Sequence, residues 1–147
     1  INDQFTFLPK ENVKTSYAHL AESEINVSID STLGLESLAC GYKTAIFMVR
    51  GKRLRLKNWR FGNNIEEIFD AGAFWCSDDK ISEYDRVLNY LRDEKIDNWQ
   101  KNNTDLISNI IKYDYNNRIF LDILNNHLDK EYQKQFSYHI NLIMEYL

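Results

Sequence analysis

The sequence predicts an α/β fold, with a parallel sheet in the first part of the chain and helices in the last part. Between residues 5 and 49, short apolar stretches typical of strands alternate with stretches whose apolar residues recur at helical spacing. This β-α-β-α-β alternation favours a parallel sheet with right-handed crossovers. Beyond Trp99 no strand pattern is visible, and we expect two or three helices there.

The first two strands flank a helix. The aromatic stretch Phe5–Leu8 ends at Pro9 and is typical of a strand. Apolar residues at three-to-four spacing predict a helix over Val13–Ala21. The alternation of apolar and small polar residues at Ile25–Ile29 then predicts the second strand.

A polar turn separates the second strand from the second helix. Residues 30 to 32 are Asp, Ser and Thr, which are favoured helix N-caps because their side-chain oxygens accept backbone N–H groups. A leucine-rich helical stripe follows, and Gly41 stands where a C-terminal glycine cap is expected. The apolar run Thr44–Val49 then predicts a third, buried strand.

The middle of the chain is less regular. We expect a short helix at Ile65–Phe69, a short strand at Ala71–Cys76 and a helix at Ile81–Leu91 that buries one face. We also expect the three tryptophans in the core: Trp59, Trp75 and Trp99. These elements place one domain at residues 1–100 and a helical C-terminal extension at residues 101–147.

Composition excludes several classes of function. The net charge of −4 over 147 residues argues against a nucleic-acid-binding protein. No run approaches the ~18 apolar residues of a membrane span. The three histidines form no ligand-spaced cluster, and the two cysteines lie in apolar stretches typical of buried residues, so we expect neither a metal site nor another cofactor. The chain begins at Ile1, and we interpret it as a fragment of a longer protein.

The segment from residue 28 to residue 41 carries the sharpest functional signal. It contains the end of a strand, then a polar turn, then the N-terminus of a helix. In a parallel sheet, ligands bind at this end of a strand, and a helix N-terminus can hold a phosphate without a basic side chain. Ser31 and Thr32 would add two hydroxyl donors, and Gly34 would let a ligand or a neighbouring strand come close. Glu36, about one turn further on, could accept hydrogen bonds from ribose. A plain helix cap is the alternative, although no capping-box spacing accounts for Glu36.

This segment resembles a known family. The run from Asp30 to Gly41, Asp-Ser-Thr-Leu-Gly-Leu-Glu-Ser-Leu-Ala-Cys-Gly, precedes the strand that begins at Lys43. Together they are similar to the second half of GT-B-fold glycosyltransferases, above all those of bacterial surface-carbohydrate and capsule biosynthesis. That family carries a Ser-Thr/Ser-x-x-x-Glu-Ala/Ser pattern, then a glycine, then a buried strand. Leu-Pro at residues 8–9 and Gly-Ala-Phe-Trp at residues 72–75 are also similar, so the resemblance covers residues 5 to 100.

The resemblance implies a single Rossmann-like half that binds the nucleotide of an activated sugar in a glycosyltransferase. Ser31 and Thr32 would face the phosphate and Glu36 the ribose. The resemblance also implies a missing N-terminal half of the same protein, which would carry the catalytic base, so this chain would not be active alone. Two alternatives stay open: a transferase of the same fold that moves a polyol phosphate from a CDP-alcohol, and a non-catalytic α/β interaction module.

A basic segment after the third strand is the second candidate site. Six of the eleven residues from 50 to 60 are Arg or Lys, in a chain that is acidic overall. An extended segment would place Arg53, Arg55 and Lys57 on one face, where arginine suits the oxygens of a phosphate. We therefore add Arg53 and Arg55 to the donor site. The alternatives are a solvated loop and a patch that touches an anionic membrane surface. We expect a cytoplasmic protein, and the second alternative would make it peripheral at the inner face of the membrane.

Overall fold

A four-stranded mixed sheet with helices forms the first of two units in this computed structural model. The structure describes residues 6–9, 11–12, 14–56, 59–62, 65 and 68–127. The two units are Ile1–Lys112 and Tyr113–Leu147. The elements of the first unit, in chain order, are α1 (Thr15–Glu22), β1 (Asn26–Ile29), α2 (Thr32–Ala39), β2 (Thr44–Phe47), α3 (Arg50–Arg53), β3 (Ala71–Gly72), β4 (Trp75–Cys76), α4 (Ile81–Asp93) and α5 (Ile96–Ile110).

The strands lie in the order β1-β2-β4-β3. β1 pairs with β2 and β2 pairs with β4 in parallel, while β3 pairs with β4 antiparallel. The prediction of an α/β fold is confirmed, and the sheet is parallel except at its β3 edge. One strand was expected at Ala71–Cys76, and two short strands joined by a tight turn occupy it instead.

The predicted first strand, Phe5–Leu8, is wrong in the part that the structure describes, because residues 6–9 contain no strand. Phe5 itself lies outside the described residues. Phe7 is 90% exposed and Leu8 is 55% exposed, so this apolar stretch does not gain the burial that would hold it in the sheet. The described part of the unit therefore begins α1-β1-α2-β2.

The second strand, β1, forms where predicted but buries its polar face. Val27 and Ile29 are exposed, whereas Asn26 and Ser28 are buried. Asn26 Nδ2 donates to the Ser37 Oγ of α2 at 3.1 Å, and Ser37 Oγ lies 2.7 Å from a hydroxyl of β2. Because each buried polar group finds a partner, the contact between α2 and the sheet tolerates them.

The second helix, α2, and the third strand, β2, confirm their predictions. Gly41, just beyond α2, adopts φ +82°, which glycine tolerates because it has no Cβ. Its N–H donates to the Leu38 carbonyl and the N–H of Tyr42 donates to the Ser37 carbonyl, the two bonds of a Schellman motif. All four residues of β2 are buried.

The basic segment is helical where an extended conformation was expected. Arg53 ends α3, and Arg55 lies in the turn that follows with φ +56°. The three cations therefore do not share a face by strand alternation, and Lys57 lies outside the described residues. The expected helix at Ile65–Phe69 is also wrong for its described residues, 65, 68 and 69, which are not helical.

The core lies between the sheet and the helices α2, α4 and α5. It is built from Leu38, Ala45, Ile46, Phe47, Phe61, Phe74, Trp75, Val87, Leu91, Trp99 and Ile107, among others. Trp75 and Trp99 are buried as predicted, but Trp59 is 46% exposed. Of the two cysteines, Cys76 is buried and Cys40 is exposed, so the expectation of burial is wrong for Cys40.

The second unit contains a 3-10 turn, Tyr115–Asn117, and the helix α6 (Arg118–His127). Asp114 caps this helix, because its two carboxylate oxygens accept the N–H groups of Ile119 and Phe120 at 2.9 Å each. Across the described ranges of both units, no helix combines the length and the apolar character needed to span a bilayer.

Candidate functional site

Two adjoining clefts open at the carboxyl edge of the parallel strands. β1 ends before Asp30, β2 ends before Met48 and β4 ends before Ser77, and all three of these residues line one cleft or the other. Because parallel strands end at the same edge, loops from three separate parts of the chain meet there. Trp59 and Arg60 line both clefts and stand between them.

The first cleft, which we call the Ser31 cleft, has a volume of about 200 Å³. It is lined by Asp30, Ser31, Thr32, Leu35, Met48, Trp59 and Arg60. Ser31 is the N-cap of α2, and its Oγ accepts the N–H of Leu33 at 3.3 Å. The N-terminus of the eight-residue helix α2 therefore borders this cleft, where its dipole favours an anion.

Asp30, which lines the Ser31 cleft, connects the segments around it through hydrogen bonds. Its side chain is fully buried and accepts two hydrogen bonds, from the backbone N–H of Arg50 at 3.1 Å and from Trp59 Nε1 at 2.9 Å. Its backbone adopts φ +49°, a conformation that Asp tolerates better than most residues. One carboxylate thus ties the end of β1 to the start of α3 and holds the indole of Trp59 in place.

The second cleft, which we call the Ser77 cleft, has a volume of about 360 Å³. It is lined by Gly51, Lys52, Arg55, Leu56, Trp59, Arg60, Asp70 and Ser77. A Cβ on Gly51 would lie 2.1 Å from the Trp59 carbonyl oxygen, so only glycine lets α3 approach the Trp59 backbone this closely. Ser77 is 4% exposed, and its Oγ has no hydrogen-bond partner among the described residues.

Of the three basic side chains that line the Ser77 cleft, only Lys52 is paired with carboxylates in the described part of the chain. Lys52 forms a hydrogen-bonded ion pair with Asp78 and lies 3.9 Å from Asp70. The hydrogen bond to Asp78 raises the pKa of Lys52, and the bonds from Lys52 and Lys80 lower the pKa of Asp78. Arg55 and Arg60, in contrast, form no ion pair with any carboxylate in the described part of the chain. The guanidinium of Arg60 donates to the backbone carbonyl of Ile68, which is uncharged. Among the described residues, the charges of Arg55 and Arg60 are therefore not neutralised by a carboxylate and can serve a ligand.

A family model described as "putative O-antigen biosynthesis protein" matches residues 1–128. The chain belongs to this family. The match includes both clefts and all of the sheet. Membership links the chain to the biosynthesis of bacterial surface polysaccharide, which agrees with the class of protein that its sequence resembles. No curated protein and no solved structure matches the chain.

The predicted site residues of this family member lie in three places. Ser31 and Thr32 line the Ser31 cleft, and Arg55 lines the Ser77 cleft. Arg53 is exposed at the end of α3 and lines neither cleft. The two predicted segments therefore converge on one edge of the sheet, with Trp59 and Arg60 between them.

Glu36 and Gly34 line neither of the two clefts. Glu36 accepts a short hydrogen bond from the hydroxyl of Tyr17 in α1, which raises the pKa of Tyr17. Gly34 is buried, and a Cβ there would lie 2.3 Å from Ser28 Cβ. Of the two close approaches considered for Gly34, a ligand or a strand, the structure shows the approach to β1.

Sequence reasoning did not include several residues that build the clefts: Asp30, Trp59, Arg60, Asp70 and Ser77. Asp30 and Ser77 each follow a strand within one residue, so the rule that ligands bind at the carboxyl ends of parallel strands could have identified both. Trp59 carries no such signal, because its contacts with Asp30 and Gly51 depend on the packed fold. The described residues hold no cluster of three or more His, Cys, Asp or Glu side chains suited to a metal.

Proposed function

We propose that this chain is the donor-binding part of a glycosyltransferase in bacterial surface polysaccharide biosynthesis, with the Rossmann-like architecture of a GT-B half. The observation that carries the proposal is the pair of clefts joined at Trp59 and Arg60. One offers a helix N-terminus and hydroxyls, and the other offers two guanidinium groups that form no ion pair with the carboxylates that the structure describes. A nucleotide-activated sugar needs both an anion site and an adjoining space for a further group. Family membership supports the polysaccharide pathway.

The phosphate next to the nucleoside is assigned to the Ser31 cleft. Ser31 and Thr32 line it, the dipole of α2 favours negative charge there, and Arg60 faces the same space. The exposed face of Trp59 offers a flat apolar wall against which a base or a sugar ring can stack. The ribose is assigned to Glu36, whose orientation is fixed by Tyr17.

In the transfer reaction, negative charge develops on the departing nucleotide. Fixed donors that already point to this position stabilise the charge without having to reorganise during the reaction. The N–H groups of α2, the hydroxyl of Thr32 and the guanidinium of Arg60 have this role in our proposal. The group that deprotonates the acceptor belongs to a partner half of the same protein, as in the family that the sequence resembles.

Calorimetric titration of the chain with UDP, GDP, CDP and CMP tests the proposal. We expect at least one nucleotide to bind, and Arg60→Gln to weaken it by roughly ten- to a hundredfold, the usual cost of losing a bond to a charged group. Arg92→Gln removes the same charge from an exposed position in α4 that lines neither cleft, and it should leave the affinity unchanged. A failure of all four nucleotides to bind would contradict the proposal. Selective binding of CMP and CDP would instead favour the polyol-phosphate alternative.

The assignment of Glu36 has its own test. Glu36→Ala should weaken a nucleoside diphosphate by about tenfold and leave inorganic pyrophosphate unaffected, because pyrophosphate has no ribose. Tyr17→Phe is the matched control, since it removes the other half of the same hydrogen bond and leaves the carboxylate in place. It should therefore weaken the nucleoside diphosphate less than Glu36→Ala does. Equal losses for both ligands would show that Glu36 is structural.

A further inference from the structure

The hydroxyl of Ser77 is an unusual feature of the core. Ser77 follows β4 directly, its side chain is 4% exposed, and its Oγ has no partner within the described residues. Buried hydroxyls without a hydrogen bond are rare because leaving one unpaired costs stability. Since Ser77 lines a cleft and has a single rotatable side-chain bond, its hydroxyl can turn to a ligand in that cleft.

Arg55 reaches the same cleft from a strained backbone position. Its φ of +56° lies in the left-handed region, where residues with a Cβ are disfavoured. Its N–H donates to the Lys52 carbonyl at 3.3 Å, and the N–H of Leu56 donates to the Gly51 carbonyl at 2.8 Å. These are the bonds of a Schellman motif, in which glycine usually occupies the position of Arg55. Strain of this kind concentrates at functional sites.

We propose that the Ser77 cleft binds an oxyanion of the donor that lies beyond the phosphate held at α2, with Ser77 Oγ as a hydrogen-bond donor and Arg55 and Arg60 as its counter-charges. The anion chemistry follows from the cleft alone, whereas naming a donor as its source rests on the proposed function. Two sources share this chemistry: the second phosphate of a nucleoside diphosphate, and the carboxylate of an acidic sugar. Arg60 borders both clefts, so one ligand can span them.

Calorimetric titration of the whole chain with six probes tests this proposal. The probes are inorganic phosphate, pyrophosphate, UMP, UDP, UDP-glucose and UDP-glucuronic acid. If the source is the second phosphate, Ser77→Ala and Arg55→Gln should each weaken UDP and pyrophosphate by about tenfold and change UMP by less than about twofold. If the source is the sugar, UDP should keep its affinity in both variants, and only the preference for UDP-glucuronic acid over UDP-glucose should disappear.

The thermal stability of Ser77→Ala separates binding from folding. Removing an unpaired buried hydroxyl should leave the melting temperature unchanged or raise it. Ser37→Ala is the matched control, because Ser37 is also buried but its Oγ pairs with Thr44 and Asn26. The control variant should melt at a lower temperature. Weaker binding by Ser77→Ala with a lowered melting temperature would instead point to a structural defect, and it would overturn the proposal.

The remaining outcomes also decide. Unchanged affinities for all six probes in both variants would overturn the inference, and so would an equal loss for UMP and UDP. If UDP binds equally to the wild type and to both variants, and UDP-glucuronic acid is not preferred over UDP-glucose, the anion cleft is overturned and the proposed function is not affected. Pyrophosphate binding that depends on Ser77, without binding of any nucleotide, would leave the anion cleft and contradict the proposed function. A wild-type chain that binds none of the probes would contradict both.

Discussion

Replacing Arg55 with glycine should make the protein more stable and weaken its binding of anions. The chain contains its own comparison, because α2 ends in the same Schellman motif with Gly41 at the position that Arg55 occupies after α3. A left-handed residue with a Cβ costs roughly 1–2 kcal/mol. Glycine relieves this strain but loses more conformational entropy on folding, about 0.5–1 kcal/mol. The net gain is therefore about 1 kcal/mol, or roughly 2–4 °C in melting temperature for a chain of this size.

The same substitution removes from the Ser77 cleft one of two guanidinium groups that form no ion pair within the described residues. We expect pyrophosphate affinity to fall by roughly ten- to a hundredfold. Arg53→Gly is the matched control, since it removes the same charge two residues earlier, from the last residue of α3. There glycine should lower stability by up to about 1 kcal/mol and leave anion binding unchanged. Differential scanning calorimetry and titration measure both effects. A melting temperature that Arg55→Gly lowers as Arg53→Gly does would contradict the strain at Arg55, and wild-type binding of pyrophosphate by Arg55→Gly would contradict its role in the cleft.

Three further substitutions test the framework around the clefts. Asp30→Ala leaves two hydrogen-bond donors without their acceptor. We expect the free energy of unfolding measured in urea to fall by about 2 kcal/mol. A loss below about 0.5 kcal/mol would contradict the role of Asp30 in connecting β1 with α3 and Trp59. Gly34→Ala places a Cβ against Ser28 and should lower the free energy of unfolding by about 1–3 kcal/mol through overpacking. An unchanged free energy of unfolding would show that α2 shifts without penalty. The hydrogen bond to Asp79 raises the pKa of Tyr84 to about 12. Because the folded-state pKa of Tyr84 is raised, the stabilisation by this hydrogen bond is fully present below pH 10 and is lost as the pH rises toward 12. Tyr84→Phe should therefore remove this part of the alkaline fall in the free energy of unfolding. The same fall in the variant and in the wild type would contradict the link.

Much of the fold follows from local patterns in the sequence. The caps before α2, Gly41 after it and the apolar run of β2 predicted the start of α2, its end and the next strand correctly, because each depends on interactions within a few residues. The inward face of β1 was not predictable in this way. Its polar residues are buried because Ser37 of α2 and Thr44 of β2 supply hydrogen-bond partners, which is a property of the packed fold.

The candidate site was predicted only where it is local. Ser31 and Thr32 could be identified because they begin a helix directly after a strand. The basic segment suggested anion binding, but strand alternation was the wrong geometry for it, because the helix α3 ends at Arg53 and Arg55 falls in the turn that follows. Ser77 directly follows a strand that the sequence predicts, but its place beside Arg55 and Arg60 depends on the pairing of β4 with β2, a contact between distant parts of the sequence.

Donor binding at the two clefts can be examined in a crystal structure of the chain with its tightest-binding nucleoside diphosphate. We expect the phosphate next to the ribose at the N-terminus of α2, within about 3 Å of the hydroxyl of Ser31 or Thr32. The rest of the ligand should pass Trp59 and Arg60 toward the Ser77 cleft. A nucleotide bound at any other edge of the sheet, or with its phosphates away from both clefts, would contradict the account.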